Sequence, residues 1–207
     1  MDDPYRLKQN GITDKAVLEA FHRVKRIEFI DDPSLQKFVN ADDPLPIGEG
    51  QTISQPSLVA HMTQCLNIQQ HHHVLEIGTG SGFQAAVIAE IASKVTTIEV
   101  IPGLCETAQK RLDRLGYKNV SVILGDGYDG YLPNAPYDRI MVTAAAEEIP
   151  EPLILQLKTG GKMIIPIGSR HGVQQLYHIT KHENDTSSKE KGLFVRFVPF
   201  VRKPEIR

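Results

Sequence analysis

Three glycines at alternate positions, Gly78, Gly80 and Gly82, lie between two acids, Glu76 and Glu99. No other stretch of the chain is so well equipped to hold a reactive ligand. Without Cβ atoms such a turn bends sharply and admits a ligand at van der Waals distance. Val74 to Ile77 is a short apolar run that stops at glycine, as a buried strand does. From Phe83 the period changes, and Ala85, Ala86, Ile88, Ala89 and Ala92 predict a helix packed closely on a sheet. Lys94 to Glu99 is β-branched and ends on an acid, which predicts a second strand. Strand, glycine turn, helix, strand and acid make a nucleotide-binding βαβ unit.

The glycine spacing bears on which nucleotide. A G-x-G-x-x-G fingerprint would put its third glycine at Phe83, whereas here it comes one place early, at Gly82. Glu76, two residues before Gly78, suits a cationic ligand end, such as the amino acid part of S-adenosylmethionine, better than a pyrophosphate. Glu99 follows the first glycine by about 20 residues, where an acid can accept hydrogen bonds from both ribose hydroxyls. These features favour S-adenosylmethionine over NAD. The same glycines would also serve a plain tight turn with no ligand.

The elements that must position these residues can be read along the chain. Its 207 residues suffice for one good-sized domain, and 41% hydrophobic content is ample for a core. A net charge of -2 gives no general attraction to nucleic acid or acidic membranes. With two cysteines, Cys65 and Cys105, on separate predicted helices, no signal-like segment and no membrane-length run, a reduced cytoplasmic setting is expected. Thr13 is the predicted cap of a helix running to about Arg26. Residues 31 to 53, rich in Asp, Pro and Gly, predict a long irregular segment of functional use. Ser54 is the predicted N-cap of a helix with Pro56 in its first turn. After Glu99, a helix over 102–115 precedes a third strand, Val120 to Leu124, and Tyr137 to Thr143 predicts a fourth. A short helix, Pro152 to Leu157, precedes a turn at Gly160-Gly161. Strands Lys162 to Ile167, Gln174 to Thr180 and Gly192 to Val201 complete the set, with residues 182–191 as an exposed loop.

The expected fold is therefore α/β: a doubly wound, mostly parallel, seven-stranded Rossmann-like sheet closed by antiparallel strands, with an N-terminal helical extension. The expected organisation is a single domain over 1–207. Residues 1–70 would form the helices and active-site loop, 71–168 the cofactor core and 169–207 the antiparallel strands. Gly78, Glu99, Asp126 and Thr143 all fall at carboxyl ends of strands, where ligands bind in such sheets.

Together, Leu75 to Gly82, Gly50 to Pro56, Gly125-Asp126-Gly127, Pro136-Tyr137-Asp138, Val142 to Ala146 and Val195 to Pro199 resemble the protein-L-isoaspartate O-methyltransferase family. The likeness runs from about Leu7 to Val201, and the Thr52-Ile53-Ser54 segment narrows it from S-adenosylmethionine methyltransferases in general. The resemblance implies methylation of the free α-carboxylate of L-isoaspartyl residues in damaged proteins and peptides, with repair through a succinimide. It implies Ser54 as the active-site serine, with Thr52, Ser54 and Val198 meeting substrate. Gln51, Thr52, Ile53, Ser54, Glu76, Gly78, Thr79, Gly80, Ser81, Glu99, Val100, Asp126, Gly127 and Thr143 would border the cofactor. Gly78, Gly80 and Ser81 would take its methionine end, Glu99 its ribose, and Asp126 with Gly127 its adenine. A monomer is expected. Tyr128-Asp129-Gly130-Tyr131 stands where bacterial relatives commonly carry tryptophan, and Ser57 where a bulkier residue is common.

An α-carboxylate is ionised at neutral pH, so its methylation needs no general base. Catalysis then comes from in-line positioning and exclusion of water, with Ser54 and unpaired N–H groups at its helix start as neutral donors. Alternatively, Ser54 only caps its helix, Asp126-Gly127 is only a turn, and Arg196 lies on a solvated face. Consecutive His71, His72 and His73 entering a strand point to alternating faces, and no metal is expected. Two rival functions remain. One is a methyltransferase for a small molecule or nucleic acid, and the other a non-catalytic S-adenosylmethionine-binding module.

Overall fold

The computed structural model describes residues 4–170 and 172–202. Helices α1 (Pro4–Gln9) and α2 (Lys15–Arg23) lead to an antiparallel hairpin, β1 (Leu45–Gly48) and β2 (Gln51–Ile53), and to α3 (Pro56–Cys65). The nucleotide-binding unit follows as β3 (His73–Ile77), α4 (Phe83–Ala89) and β4 (Lys94–Glu99). Then come α5 (Pro102–Arg114), β5 (Val120–Leu124), β6 (Tyr137–Val142), α6 (Glu151–Leu155), β7 (Leu157–Gly168), β8 (Gln174–Lys181) and β9 (Ser187–Val195).

One seven-stranded sheet runs in the order β5-β4-β3-β6-β7-β8-β9. The first five of these are parallel, while β8 pairs antiparallel with β7, and β9 antiparallel with β8. Strand order reverses beside β3, so the glycine turn opens at the switch point, where a crevice forms beyond the strand ends. Alternate residues of β3 serve two cores. Val74 joins the cluster built on Phe21, Phe29 and Phe83, whereas Leu75 and Ile77 join Ile98, Tyr137, Leu153 and Phe200 on the other face. Phe83 meets the rings of Phe21 and Phe29 edge-on at 5.9 and 5.5 Å, tying the N-terminal helices to the base of the turn.

The polar segments depart from expectation. The segment over 31–53 is not wholly irregular: it contains the β1–β2 hairpin, whose tip Gly48-Glu49-Gly50 has positive φ throughout. Gly160-Gly161 is not a turn before a strand but a bulge inside β7, where pairing with β6 jumps from Tyr137↔Leu157 to Arg139↔Lys162. The final strand comes earlier than expected: β9 takes in the second half of the segment read as a loop, leaving residues 182–186 as the turn, and it stops at Val195. As the sheet's edge it has one unpaired side, and a charged, exposed strand is what such an edge tolerates.

After β9 the chain becomes a strap across the carboxyl ends of the strands. Phe197 N–H donates to Gln174 Oε1 at 2.9 Å, Ala145 N–H to Val198 O at 2.8 Å, and Phe200 N–H to Ala145 O at 2.9 Å.

The first helix cap is also corrected. Asp14, not Thr13, caps α2, its Oδ1 accepting from Ala16 N–H (2.8 Å) and Val17 N–H (3.3 Å), and the helix stops at Arg23 rather than Arg26. Asp14→Ala should therefore lower the free energy of unfolding in urea by about 0.5–2 kcal/mol. Thr13→Ala should change it by less than about 0.5 kcal/mol.

Candidate active site

The floor of the crevice is the glycine turn. Gly78, Gly80 and Gly82 have φ of 95°, 53° and 88°, so all three sit in the left-handed region that side chains avoid. Thr143 enforces the first of these. Its Oγ1 lies 2.9 Å from Ile77 O and 2.8 Å from Gly78 O, and a Cβ on Gly78 would come within 2.5 Å of that oxygen. Thr143 thus borders the cavity while its hydroxyl is engaged with the turn.

Glu99 holds the turn from the other side. Its Oε2 accepts from Gly80 N–H at 2.8 Å, and its Oε1 from Val100 and Ile101 N–H at 3.0 and 3.1 Å. A carboxylate offers about four lone-pair sites, so one is left for a ligand unless Gly80 releases its own. Ser81 is buried, and its carbonyl accepts from Arg111 Nη1 at 2.7 Å. Arg111 in turn grips both oxygens of Asp31 at 2.6 Å. This support spans distant parts of the chain and left no local signal in the sequence.

The roof is the stretch Gln51–Ser54, and a buried cation shapes it. Arg26 is 0% exposed and donates to the carbonyls of Val39 (3.0 Å), Ala41 (3.1 Å), Asp43 (2.7 Å) and Ser54 (3.1 Å). The residue expected to finish a helix instead gathers the loop that carries Ser54.

The cap reading of Ser54 fails. The N-cap of α3 is Gln55, and Ser57 N–H is taken by Asp42 Oδ1 at 2.8 Å. Leu58 and Val59 N–H both turn to Gln55 O at 3.2 Å. Those helix-start donors are therefore spent, contrary to expectation. The Ser54 hydroxyl itself makes no hydrogen bond among the described residues.

Between floor and roof lies a cavity with about 790 Å³ of empty space, including its mouth. Gln51, Thr52, Ile53, Ser54, Gly78, Thr79, Gly80, Ser81, Glu99, Val100, Gly127, Thr143 and Val198 all line it. Gln84 and the strap residues Pro199, Phe200 and Val201 line it as well and were missed. Gln84 is buried and donates to Thr63 Oγ1 at 3.0 Å. A lone amide on the otherwise apolar α4 was the signal available for it.

Two predicted residues are not brought to the cavity. Asp126 Oδ1 accepts from Tyr128 N–H at 3.0 Å, and its Oδ2 faces Arg202 Nε at 3.3 Å. Glu76 is fully buried beneath the turn, where Oε2 accepts from Thr97 Oγ1 at 2.6 Å and Thr97 meets Thr79 Oγ1 at 2.7 Å. Burial drives the Glu76 carboxyl up to about 8, against the pull of the Thr97 hydrogen bond and with the Glu99 charge adding to the rise.

The three histidines part as expected. His71 is exposed, His72 Nδ1 accepts from Gln69 N–H at 2.9 Å, and His73 Nε2 lies 3.0 Å from Thr96 Oγ1. Burial lowers both His72 and His73 to about 4. Among the described residues no group of three or more His, Cys, Asp or Glu could hold a metal ion. Cys65 and Cys105 are free thiols.

Glu76 predicts a pH dependence. From its ordinary 4.5 to its folded value of about 8, the unfolded chain gives up a proton that the folded chain keeps, so stability falls as pH rises through that window. His72 and His73 act oppositely, costing stability as pH falls from 6.5 towards 4, and they are common to wild type and variant. The melting temperature of Glu76→Gln should therefore gain on wild type steadily from pH 5 to pH 8, by calorimetry. A pH-independent difference would mean that Glu76 is charged in the fold.

Comparison with known proteins accords with this geometry. The model of the family described as protein-L-isoaspartate(D-aspartate) O-methyltransferase matches residues 5–205. Protein-L-isoaspartate O-methyltransferase 2 of Polaromonas sp. is 51% identical over 188 residues, covering 91% of this chain and 89% of its own. The Methanoculleus marisnigri protein-L-isoaspartate O-methyltransferase is 46% identical over 197 residues, covering 95% and 88%. A solved protein-L-isoaspartate O-methyltransferase superposes with TM-score 0.87 at 33% identity over 95% of this chain, which spans 64% of that longer one. A Plasmodium falciparum structure described as a protein-L-isoaspartate O-methyltransferase in complex with S-adenosyl-L-homocysteine has TM-score 0.81 at 26% identity, covering 97% of both chains. With its cavity at the switch point and a match of this extent, the chain belongs to the protein-L-isoaspartate(D-aspartate) O-methyltransferase family.

Proposed function

We propose that the chain transfers the methyl group of S-adenosylmethionine to the free α-carboxylate of L-isoaspartyl residues, starting a repair that proceeds through a succinimide. The observation that carries this reading is one cavity onto which both the Glu99 end of the floor and the unengaged Ser54 hydroxyl open. The residues present fit the cofactor. Gly78, Gly80 and Ser81 admit its amino acid end closely, Glu99 has a remaining acceptor site for the ribose, and Ile77, Ile98, Gly127 and Phe200 offer the apolar surface a base needs. Asp126 supports this last region by holding its turn and the strap.

Bound S-adenosylmethionine supplies an electrophilic methyl group on a sulfonium. The chain's own part is to hold the acceptor. An α-carboxylate titrates at roughly 3.3–3.7, so it arrives ionised and no residue has to remove a proton. Nucleophile and sulfonium cancel charge as they react, so a further charge at the reacting centre would help little and a neutral hydroxyl is the better tool. Ser54 donates to the carboxylate, Arg26 fixes the backbone beneath Ser54, and roof and strap exclude water.

Recognition of the peptide falls to Thr52, Ser54 and Val198 at the cavity. An extended peptide can pair with backbone groups of the strap. Its Val198 carbonyl and Phe200 N–H are already committed to Ala145, so pairing falls to its other backbone groups. The partners are damaged proteins of varied sequence, met in the cytoplasm by a monomer. No helix among the described residues is long and apolar enough to cross a membrane.

Two measurements test this reading. With labelled S-adenosylmethionine, an isoaspartyl peptide should release base-labile methanol and its ordinary Asp twin should not, because both carry one carboxylate and only geometry separates them. Equal methylation of the twin would return the chain to a general methyltransferase. Ser54→Ala should lower kcat/KM for the peptide roughly 10- to 100-fold, the worth of a hydrogen bond to a charged group. Calorimetric affinity for S-adenosylmethionine and the melting temperature should stay near wild type, since Ser54 caps nothing.

A further inference from the structure

The strap that forms the far wall of the cavity is fastened at three places along its length. Phe197 N–H is held by Gln174, a fully buried side chain whose amide nitrogen donates to Ser169 O and Gly172 O at 2.8 and 3.0 Å. Val198 and Phe200 straddle Ala145. The third fastening is Arg202. Its Nε lies 3.3 Å from Asp126 Oδ2, its Nη2 3.9 Å from Asp129 Oδ1, and its guanidinium carbon 3.9 Å from the centre of the Tyr128 ring.

These contacts converge on the turn that follows β5. Asp126 is almost covered, and its other oxygen holds Tyr128 N–H. Tyr128 meets Phe200 edge-on at 6.5 Å. Gly127 lines the cavity between them, and a Cβ there would strike Ile77 and approach Phe200 Cζ to 3.5 Å. The cation therefore closes a ring of contacts from strap to turn, Arg202 to Tyr128 to Phe200, around one end of the cavity. Each exposed ion pair is weak by itself, whereas a guanidinium that also lies over an aromatic face adds an attraction less open to screening.

We propose that Arg202 is a positioning residue for the ligand. By pinning the strap to Asp126, Asp129 and Tyr128 it holds Phe200 and Val201 against the cavity and slows the escape of S-adenosylmethionine and its demethylated product. This rests on the reading that the cavity takes S-adenosylmethionine. It also gives Asp126 a contact with the strap.

The test uses the full chain as wild type, Arg202→Ala and Arg202→Lys. In ligand-free protein, hydrogen exchange at the Phe200 amide should quicken about three- to tenfold in Arg202→Ala, as expected for losing a weak ion-pair network and a cation–π contact. Amides of β3 and β4 should keep their protection. Dissociation of S-adenosylhomocysteine in stopped flow should quicken by a similar factor. Raising salt to 0.5 M should speed release from wild type and leave Arg202→Ala flat. Arg202→Lys should recover the salt-dependent part and not the part contributed by the ring.

Unchanged Phe200 exchange together with unchanged release in Arg202→Ala would leave Arg202 a solvated side chain and overturn the proposal. Loss of protection throughout the sheet would make its role general stability and overturn it equally. If wild type binds neither S-adenosylmethionine nor S-adenosylhomocysteine, the cofactor reading falls and the claim about release falls with it. Phe200 exchange would still show whether the strap is pinned.

Discussion

A guanidinium with no exposure to water, surrounded by carbonyls, is the constraint on which the active-site half of this protein depends. Arg26 cannot be buried cheaply, because a charge withdrawn from water must find its hydrogen bonds inside. It finds four of them on backbone oxygens of Val39, Ala41, Asp43 and Ser54. A loop rich in Asp, Pro and Gly has little apolar surface with which to hold itself, and the cation supplies a common centre instead. Once the loop is drawn in, the hairpin lies over the glycine turn and Asp42 reaches the start of α3. The position of Ser54 is thus decided on the inner side of the loop, leaving its hydroxyl free for chemistry.

The two acids around the glycine turn show how environment divides labour between like residues. Glu99 lies at a strand end beside the cavity, where three backbone N–H groups donate to it. Glu76, one strand over, is enclosed by side chains of the core and has one hydroxyl at 2.6 Å. Burial there favours the neutral acid. The Glu99 charge adds to the rise that burial gives the deeper acid. Glu76 then serves the turn from below, through Thr97 and Thr79, rather than from within the cavity.

What the sequence made legible follows from where each signal originates. Strands β4 and β5 fall at the expected residues because each carries a short apolar or β-branched run, Val95–Ile98 and Val122–Leu124. The glycine turn was readable because backbone conformation there excludes every other residue. The hairpin over 45–53 and the first half of β9 were not, since the hairpin buries only Leu45 and Ile53 and residues 187–191 are polar like those of loops. Arg26, Arg111 and Arg202 escaped notice for a different reason. A lone arginine reads as a solvated charge, and only the folded chain shows which carbonyls, carboxylates or rings surround it. The cap of α3 falls on Gln55 rather than Ser54 because a cap depends on where neighbouring N–H groups point.

The cavity takes its roof from residues 51–54, its floor from 77–81 and 98–101, and its far wall from 198–201. Roof and wall stand on opposite sides of the sheet-forming sequence, so almost every strand must be in place before they can face each other. Bringing such distant segments together carries a loop-closure cost that is recovered only when the rest of the chain is ordered. Ligand affinity is then a property of the whole native state. A bound ligand should stabilise the sheet and the N-terminal helices alike by mass action. Conversely, a chain whose strap has frayed can retain every strand and still have lost its grip on the molecule it exists to use.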